Sequence, residues 1–84
     1  MKRLFYLKGV ISMNYNDIQS GEWLRINRLY LKMTMKEIAE RMHTTKQTIF
    51  NCEKENHTSL VIKQLYTLVI RNELQQKGLK AIDV

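Results

Sequence analysis

The chain has 84 residues, of which 44% are hydrophobic and 26% charged, enough for one small domain with a modest core and little surplus stability. A single cysteine excludes an intrachain disulfide, and five methionines without a proline suit a compact helical protein of the cytoplasm better than a stapled secreted one. The formal net charge of +6 favours a nucleic-acid partner, because lysines and arginines that neutralise phosphates release counterions.

Three stretches divide the chain: an N-terminal tail over 1–19, a helical domain over 20–77 and a C-terminal tail over 78–84. In the opening MKRLFYLKGVIS, Lys8 interrupts an apolar run already too short for a signal core, and no convincing small-residue cleavage site follows. Phe5, Tyr6, Val10 and Ile11 make Lys2 to Ile11 more strand-like than helix-like, with the C-terminal tail as a pairing partner. The alternative is that translation starts at Met13 and the preceding residues lie upstream of the protein.

Ser20 is placed to cap a helix from Gly21 to about Lys32, with Leu24, Arg28 and Leu31 on one side, flanked by Trp23 and Ile26. Thr34 with Glu37 three residues later forms a capping box, and Met35, Ile38, Ala39 and Met42 follow at helical spacing, which predicts a short helix from Met35 to Met42. Thr45 caps the next, from Lys46 to about Glu53, with Ile49, Cys52 and Thr48 on its inward side. Only His43 and Thr44 separate this helix and its cap from the one before. So short a turn makes the two helices cross steeply, and Ala39 is the small residue that permits it.

After a loop over Lys54 to Thr58, Ser59 caps a fourth helix. Val61, Leu65, Leu68 and Val69 are expected as its inward stripe, and Leu60, Ile62, Tyr66 and Ile70 give it a second apolar side. One small core cannot cover both, so the surplus side either forms a subunit interface or is closed by a fifth helix. Leu74 continues the spacing, Gly78 is placed to end the helix, and LKAIDV is a tail, a last turn or a short strand. The run from Leu60 to Ile70 contains Lys63 and Gln64 and is well short of the roughly 20 residues that span a membrane, so no membrane partner is expected.

The stretch TMKEIAERMHTTKQTIFNCE, with Thr34, Ile38-Ala39, the Thr-Thr-Lys-Gln-Thr-Ile run and Glu53, resembles the helix-turn-helix of the Cro/repressor family, the xenobiotic-response-element-like, lambda-repressor-like regulators of bacteria and their phages. The resemblance covers roughly Gly21 to Leu68. It implies an all-α domain of four or five helices whose second short helix, at about 46–53, enters the major groove. It also implies a salt bridge between Arg28 on the first helix and Glu53 at the end of the recognition helix. The chain departs from the family where glycine usually stands at His43 and Glu55, two helix ends at which the backbone often takes positive φ. Histidine tolerates this better than glutamate, and Asn56 is a candidate to take over the left-handed position. The proline usual before the fourth helix is also missing.

A recognition helix exposes its N-terminal residues to base edges, which makes Lys46, Gln47, Phe50 and Asn51 the candidate base contacts. Gln47 matches adenine, Lys46 donates to guanine, Asn51 serves either, and Phe50 suits a thymine methyl. Backbone contacts are expected from Thr34 and Lys36 at the start of the preceding helix, from Thr44 and Thr48, and from Lys54, Asn56 and His57. Charge gives limited support, because from Thr34 to His57 the basic Lys36, Arg41, Lys46 and Lys54 are balanced by Glu37, Glu40, Glu53 and Glu55. No metal or other cofactor is expected, since Cys52, His43 and His57 lack ligand spacing. A buried Cys52 and the absence of a glycine-rich phosphate loop argue against an enzyme.

The expected function is a sequence-specific double-stranded DNA-binding transcriptional regulator, a small repressor that acts as a homodimer on a near-palindromic operator. The rival reading is a protein-interaction module that keeps this fold without binding DNA. A third is an antitoxin that binds a toxin as its protein partner and also its own operator.

Overall fold

The computed structural model describes residues 17–84, so the expected strand over Lys2–Ile11 and the alternative start at Met13 lie outside the described residues. Among the described residues the chain is all-α, with four helices and no strand: α1 Gly21–Tyr30, α2 Met35–Met42, α3 Lys46–Lys54 and α4 Leu60–Gln76.

Each helix starts at the expected hydroxyl cap. The Ser20 side chain accepts from the Trp23 N–H, Thr34 from Glu37, Thr45 from Thr48 and Ser59 from Ile62. Thr34 and Glu37 complete the capping box, with the Thr34 N–H donating to Glu37 Oε1 at 2.7 Å. Each cap satisfies one of the N–H groups that a helix start leaves without an intrahelical acceptor.

The four helices also end alike. The N–H groups of Met33, Thr44, Asn56 and Leu79 reach back five residues to the carbonyls of Arg28, Ala39, Asn51 and Leu74 at 2.8–3.0 Å. The residue before each of these donors is left-handed: Lys32 at φ 60°, His43 at 56°, Glu55 at 59° and Gly78 at 67°. This is the Schellman closure, in which glycine normally takes the left-handed place. Here only Gly78 is a glycine. Two expectations are corrected as a result. The first helix ends at Tyr30, because Leu31 and Lys32 already form its turn, and Glu55 itself adopts the left-handed conformation instead of passing it to Asn56.

Bonds far away in sequence hold Glu55 there. Its Oε2 accepts from the Gly21 N–H at 2.8 Å, at the start of α1, and its Oε1 lies 3.0 Å from Lys63 Nζ on α4. These partners hold the Glu55 carboxyl below the usual range, the Gly21 N–H first and Lys63 second. At the same junction α1 and α3 approach so closely that a Cβ on Gly21 would lie 2.2 Å from the Glu53 carbonyl oxygen.

The core is built from Trp23, Leu24 and Leu31 of the α1 segment, Ile38 and Ala39 of α2, Ile49 and Cys52 of α3, and Tyr66, Ile70 and Leu74 of α4, with Met33 between α1 and α2. α3 packs on α1 and α2, and α4 packs on the same two helices. The faces of α4 are the reverse of the expectation. Tyr66, Ile70 and Leu74 point inward with Ile62 beside them, whereas Leu60, Val61 and Leu65 are exposed and Leu68 is half-buried; of the expected inward stripe only Val69 packs on the core. A helix apolar on two sides has no phase of its own; the observed phase buries Tyr66, Thr67, Ile70 and Leu74 and brings the Tyr66 hydroxyl to Glu53.

Polar groups tie both described ends to the helices. Asn27, fully buried, donates to the carbonyls of Trp23 and Ile82, both at 3.0 Å, and accepts from the Ile82 N–H at 2.7 Å, so it clamps the C-terminal tail by its main chain. Arg71 on α4 forms a two-pronged ion pair with Asp17 and stacks 4.9 Å from the Trp23 ring. Arg41 on α2 meets Glu73 on α4 at 2.6 Å. No helix among the described residues is long and apolar enough to cross a membrane.

Candidate nucleic-acid interface

α3 is held from one side. Ile49 and Cys52 are fully buried, and burial pushes the Cys52 thiol pKa up, which suppresses the reactive thiolate. Next to them Glu53 anchors the helix end. Arg28 donates to it through Nε at 2.6 Å and Nη2 at 3.1 Å, the Tyr66 hydroxyl donates to Glu53 Oε2, and Arg28 Nη1 donates to the Met33 carbonyl at 3.1 Å. The Glu53 carboxylate raises the Arg28 pKa, while burial and then Glu53 push the Tyr66 hydroxyl well above its usual range. A fork of two parallel bonds fixes direction as well as distance, so α3 cannot rotate about its axis without breaking the network.

The opposite side of α3 is free of the core. Lys46, Gln47 and Phe50 are exposed and Asn51 is half-buried, and their spacing places all four on one helical face. The Gln47 amide Nε2 donates to Asn51 Oδ1 at 3.0 Å. Lys54 Nζ lies 5.7 Å from the Phe50 ring centroid. An open hollow of about 330 Å³ is lined by Met35, Lys46, Gln47 and Phe50, between the first turns of α2 and α3.

The other site residues expected from sequence surround this face less tightly. Thr34 is exposed at the N-cap of α2, where its Oγ1 accepts from the Glu37 N–H at 3.0 Å and its own hydrogen remains available to donate. Lys36 is exposed in the first turn of α2 and Lys54 in the last turn of α3. Thr44 is half-buried in the turn, and the half-buried Thr48 shares a 2.9 Å hydroxyl contact with Thr45. Asn56 and His57 are exposed in the loop after α3, where His57 has φ 46°.

The charge balance read along the sequence is redistributed rather than removed, since Glu37 and Glu40 stay exposed on α2 while other members of it are paired. Glu53 and Glu55 are drawn inward or sideways into bonds with Arg28, Gly21 and Lys63, and Arg41 is drawn to Glu73. Lys36, Lys46 and Lys54 stay exposed. Tyr66, Gly21 and Lys63 were not among the residues expected from sequence, although each helps to position α3. Nothing local in the sequence points to them, since their bonds to Glu53 and Glu55 run between separate helices. Among the described residues no group of three or more His, Cys, Asp or Glu side chains is arranged to hold a metal ion. Comparison with protein-family models, curated proteins and solved structures gives no match.

Proposed function

We propose that this chain is a double-stranded DNA-binding regulator of transcription, of the repressor type and similar to the Cro/repressor family, which places α3 in the major groove of its operator. The observation that carries the reading is the division of α3. One side is locked by the Arg28–Glu53–Tyr66 network, and the other presents Lys46, Gln47, Phe50 and Asn51 together on one face. In this reading α2, the turn and α3 form a helix-turn-helix. α2 crosses the phosphate backbone with Thr34 and Lys36, and Thr44, Thr48, Lys54, Asn56 and His57 supply further positioning contacts. The chain acts as a binding protein, not an enzyme, and as a dimer whose second copy covers the uncharged outer stripe of α4 at Val61, Leu65 and Leu68.

A gel shift with the DNA just upstream of the protein's own gene, beside a scrambled duplex of equal length, tests this. Preference for the upstream duplex is expected, with Gln47→Ala altering sequence preference and Lys54→Ala weakening all duplexes alike. Absence of binding to either duplex at low salt refutes it. A second reading, a protein-interaction module or antitoxin, is favoured by the exposed Leu60, Val61 and Leu65 on α4. It predicts a stable complex with a protein partner that those residues control and that Gln47 does not.

A further inference from the structure

Between α3 and α4 the chain takes left-handed backbone twice without a glycine, at Glu55 (φ 59°) and His57 (φ 46°). A Cβ disfavours that conformation, so it persists where other bonds hold it. At Glu55 those bonds are specific. Its carboxylate accepts from the Gly21 N–H at 2.8 Å and meets Lys63 Nζ at 3.0 Å, which ties the end of α3 to the first residue of α1 and to the start of α4. The Lys63 side chain is only 12% exposed, so this partner is itself held in place. The Asn56 N–H closes on the Asn51 carbonyl at 2.8 Å and Ser59 caps α4. Together these bonds determine where the exposed Asn56 and His57 stand on the surface.

Charge makes the place of this residue informative. Glu55 stands between Lys54 and Asn56, two of the residues proposed to touch the DNA backbone. A carboxylate there feels the phosphates, since the screening length is about 10 Å at 0.1 M salt. By charge alone Glu55 weakens binding, and its removal should strengthen it. By geometry its removal frees the loop, and Asn56 and His57 must then be ordered at the moment DNA binds. The two effects have opposite signs.

We propose that Glu55 is a positioning residue for DNA binding, whose carboxylate, held by Gly21 and Lys63, presets the loop that sets Asn56 and His57 against the phosphate backbone. The inference rests on the duplex-DNA reading and adds to it a residue that acts without touching a nucleotide.

The test is the affinity of the full chain and its variants for the upstream duplex and for the scrambled duplex, at low salt and well below the melting temperature. Glu55→Gly keeps the left-handed turn and removes both side-chain bonds, and thermal melts confirm that it folds. Its affinity should fall about tenfold on both duplexes alike, with the preference between them unchanged. Glu55→Gln keeps an oxygen for the Gly21 N–H and should stay within about threefold of the parent. Glu55→Gly at parental affinity or tighter means that charge outweighs position, which overturns this inference and leaves the DNA reading standing. So does a Glu55→Gln protein that loses as much as Glu55→Gly, or a loss confined to the upstream duplex. Failure of the parent to bind either duplex at low salt overturns both.

Discussion

Glycine substitution at two of the left-handed helix ends should change stability in opposite directions. His43 and Glu55 have nearly the same backbone, at φ 56° and 59°, and both stand in Schellman closures. A non-glycine residue there costs about 1–2 kcal/mol, and the greater freedom of glycine in the unfolded chain returns about 0.5–1 kcal/mol of that. His43→Gly, at an exposed side chain, should therefore stabilise by about 0.5–1 kcal/mol and raise Tm by about 2–8 °C in a domain of this size. Glu55→Gly gains the same backbone relief but loses the bond from the Gly21 N–H and the Lys63 ion pair. Because the Glu55 side chain is 49% exposed, solvent screening reduces the first to about 1 kcal/mol and the second to about 0.5 kcal/mol. The net is a loss of about 0.5–1 kcal/mol. Urea melts of the two variants beside the parent decide the matter. If Glu55→Gly stabilises as much as His43→Gly, the bonds across α1, α3 and α4 do not hold that corner and the reasoning fails.

Other consequences concern the junctions that aim α3. Gly21→Ala would put a methyl 2.2 Å from the Glu53 carbonyl oxygen and 2.8 Å from that of Cys52, both main-chain atoms, so one helix must move. A loss of about 3 kcal/mol is expected by chemical denaturation. Arg28→Met leaves a buried carboxylate with Tyr66 as its remaining partner and should cost about 3–5 kcal/mol. Adding Glu53→Gln, which removes the charge, should recover a large part of that in the double variant. Asp17, Glu55 and Glu73 are held below their ordinary carboxyl pKa values, Asp17 first by Arg71, Glu55 first by the Gly21 N–H and Glu73 first by Arg41. Their stabilisation is therefore full above the ordinary values of 3.8 and 4.5 and disappears as pH falls through the lower folded-state values. Tm followed down from about pH 6 should fall mainly below about pH 4.5, and less steeply in the Asp17→Asn/Glu73→Gln double variant.

The helix starts were legible because capping is local chemistry: Ser20, Thr34, Thr45 and Ser59 each sit three residues before the N–H they accept from. The left-handed place of Glu55 was not legible. Its carboxylate bonds 34 residues back to Gly21 and eight forward to Lys63, and nothing within the loop itself distinguishes it from Asn56. The orientation of α4 failed for a related reason, since apolar residues at helical spacing line two of its sides and the choice depends on contacts with distant segments, among them the bond from Tyr66 to Glu53, 13 residues away. Asn27 shows the same limit. Sequence marks it as a polar residue on an apolar stripe, but its partner is the main chain of Ile82, which has no side-chain signature. On α3, the outward grouping of Lys46, Gln47, Phe50 and Asn51 followed from helical spacing, whereas the Gln47–Asn51 bond depends on the two side-chain conformations and the hollow with Met35 on how α2 packs against α3.

The measurement that tests the central claim most directly is the salt dependence of affinity for the preferred duplex. If each protomer of a dimer sets Lys36 and Lys54 against phosphates, the slope of log K against log salt should be about −4, and Lys54→Ala should make it shallower by about 2. A flat dependence, or no duplex bound at low salt, would contradict the account.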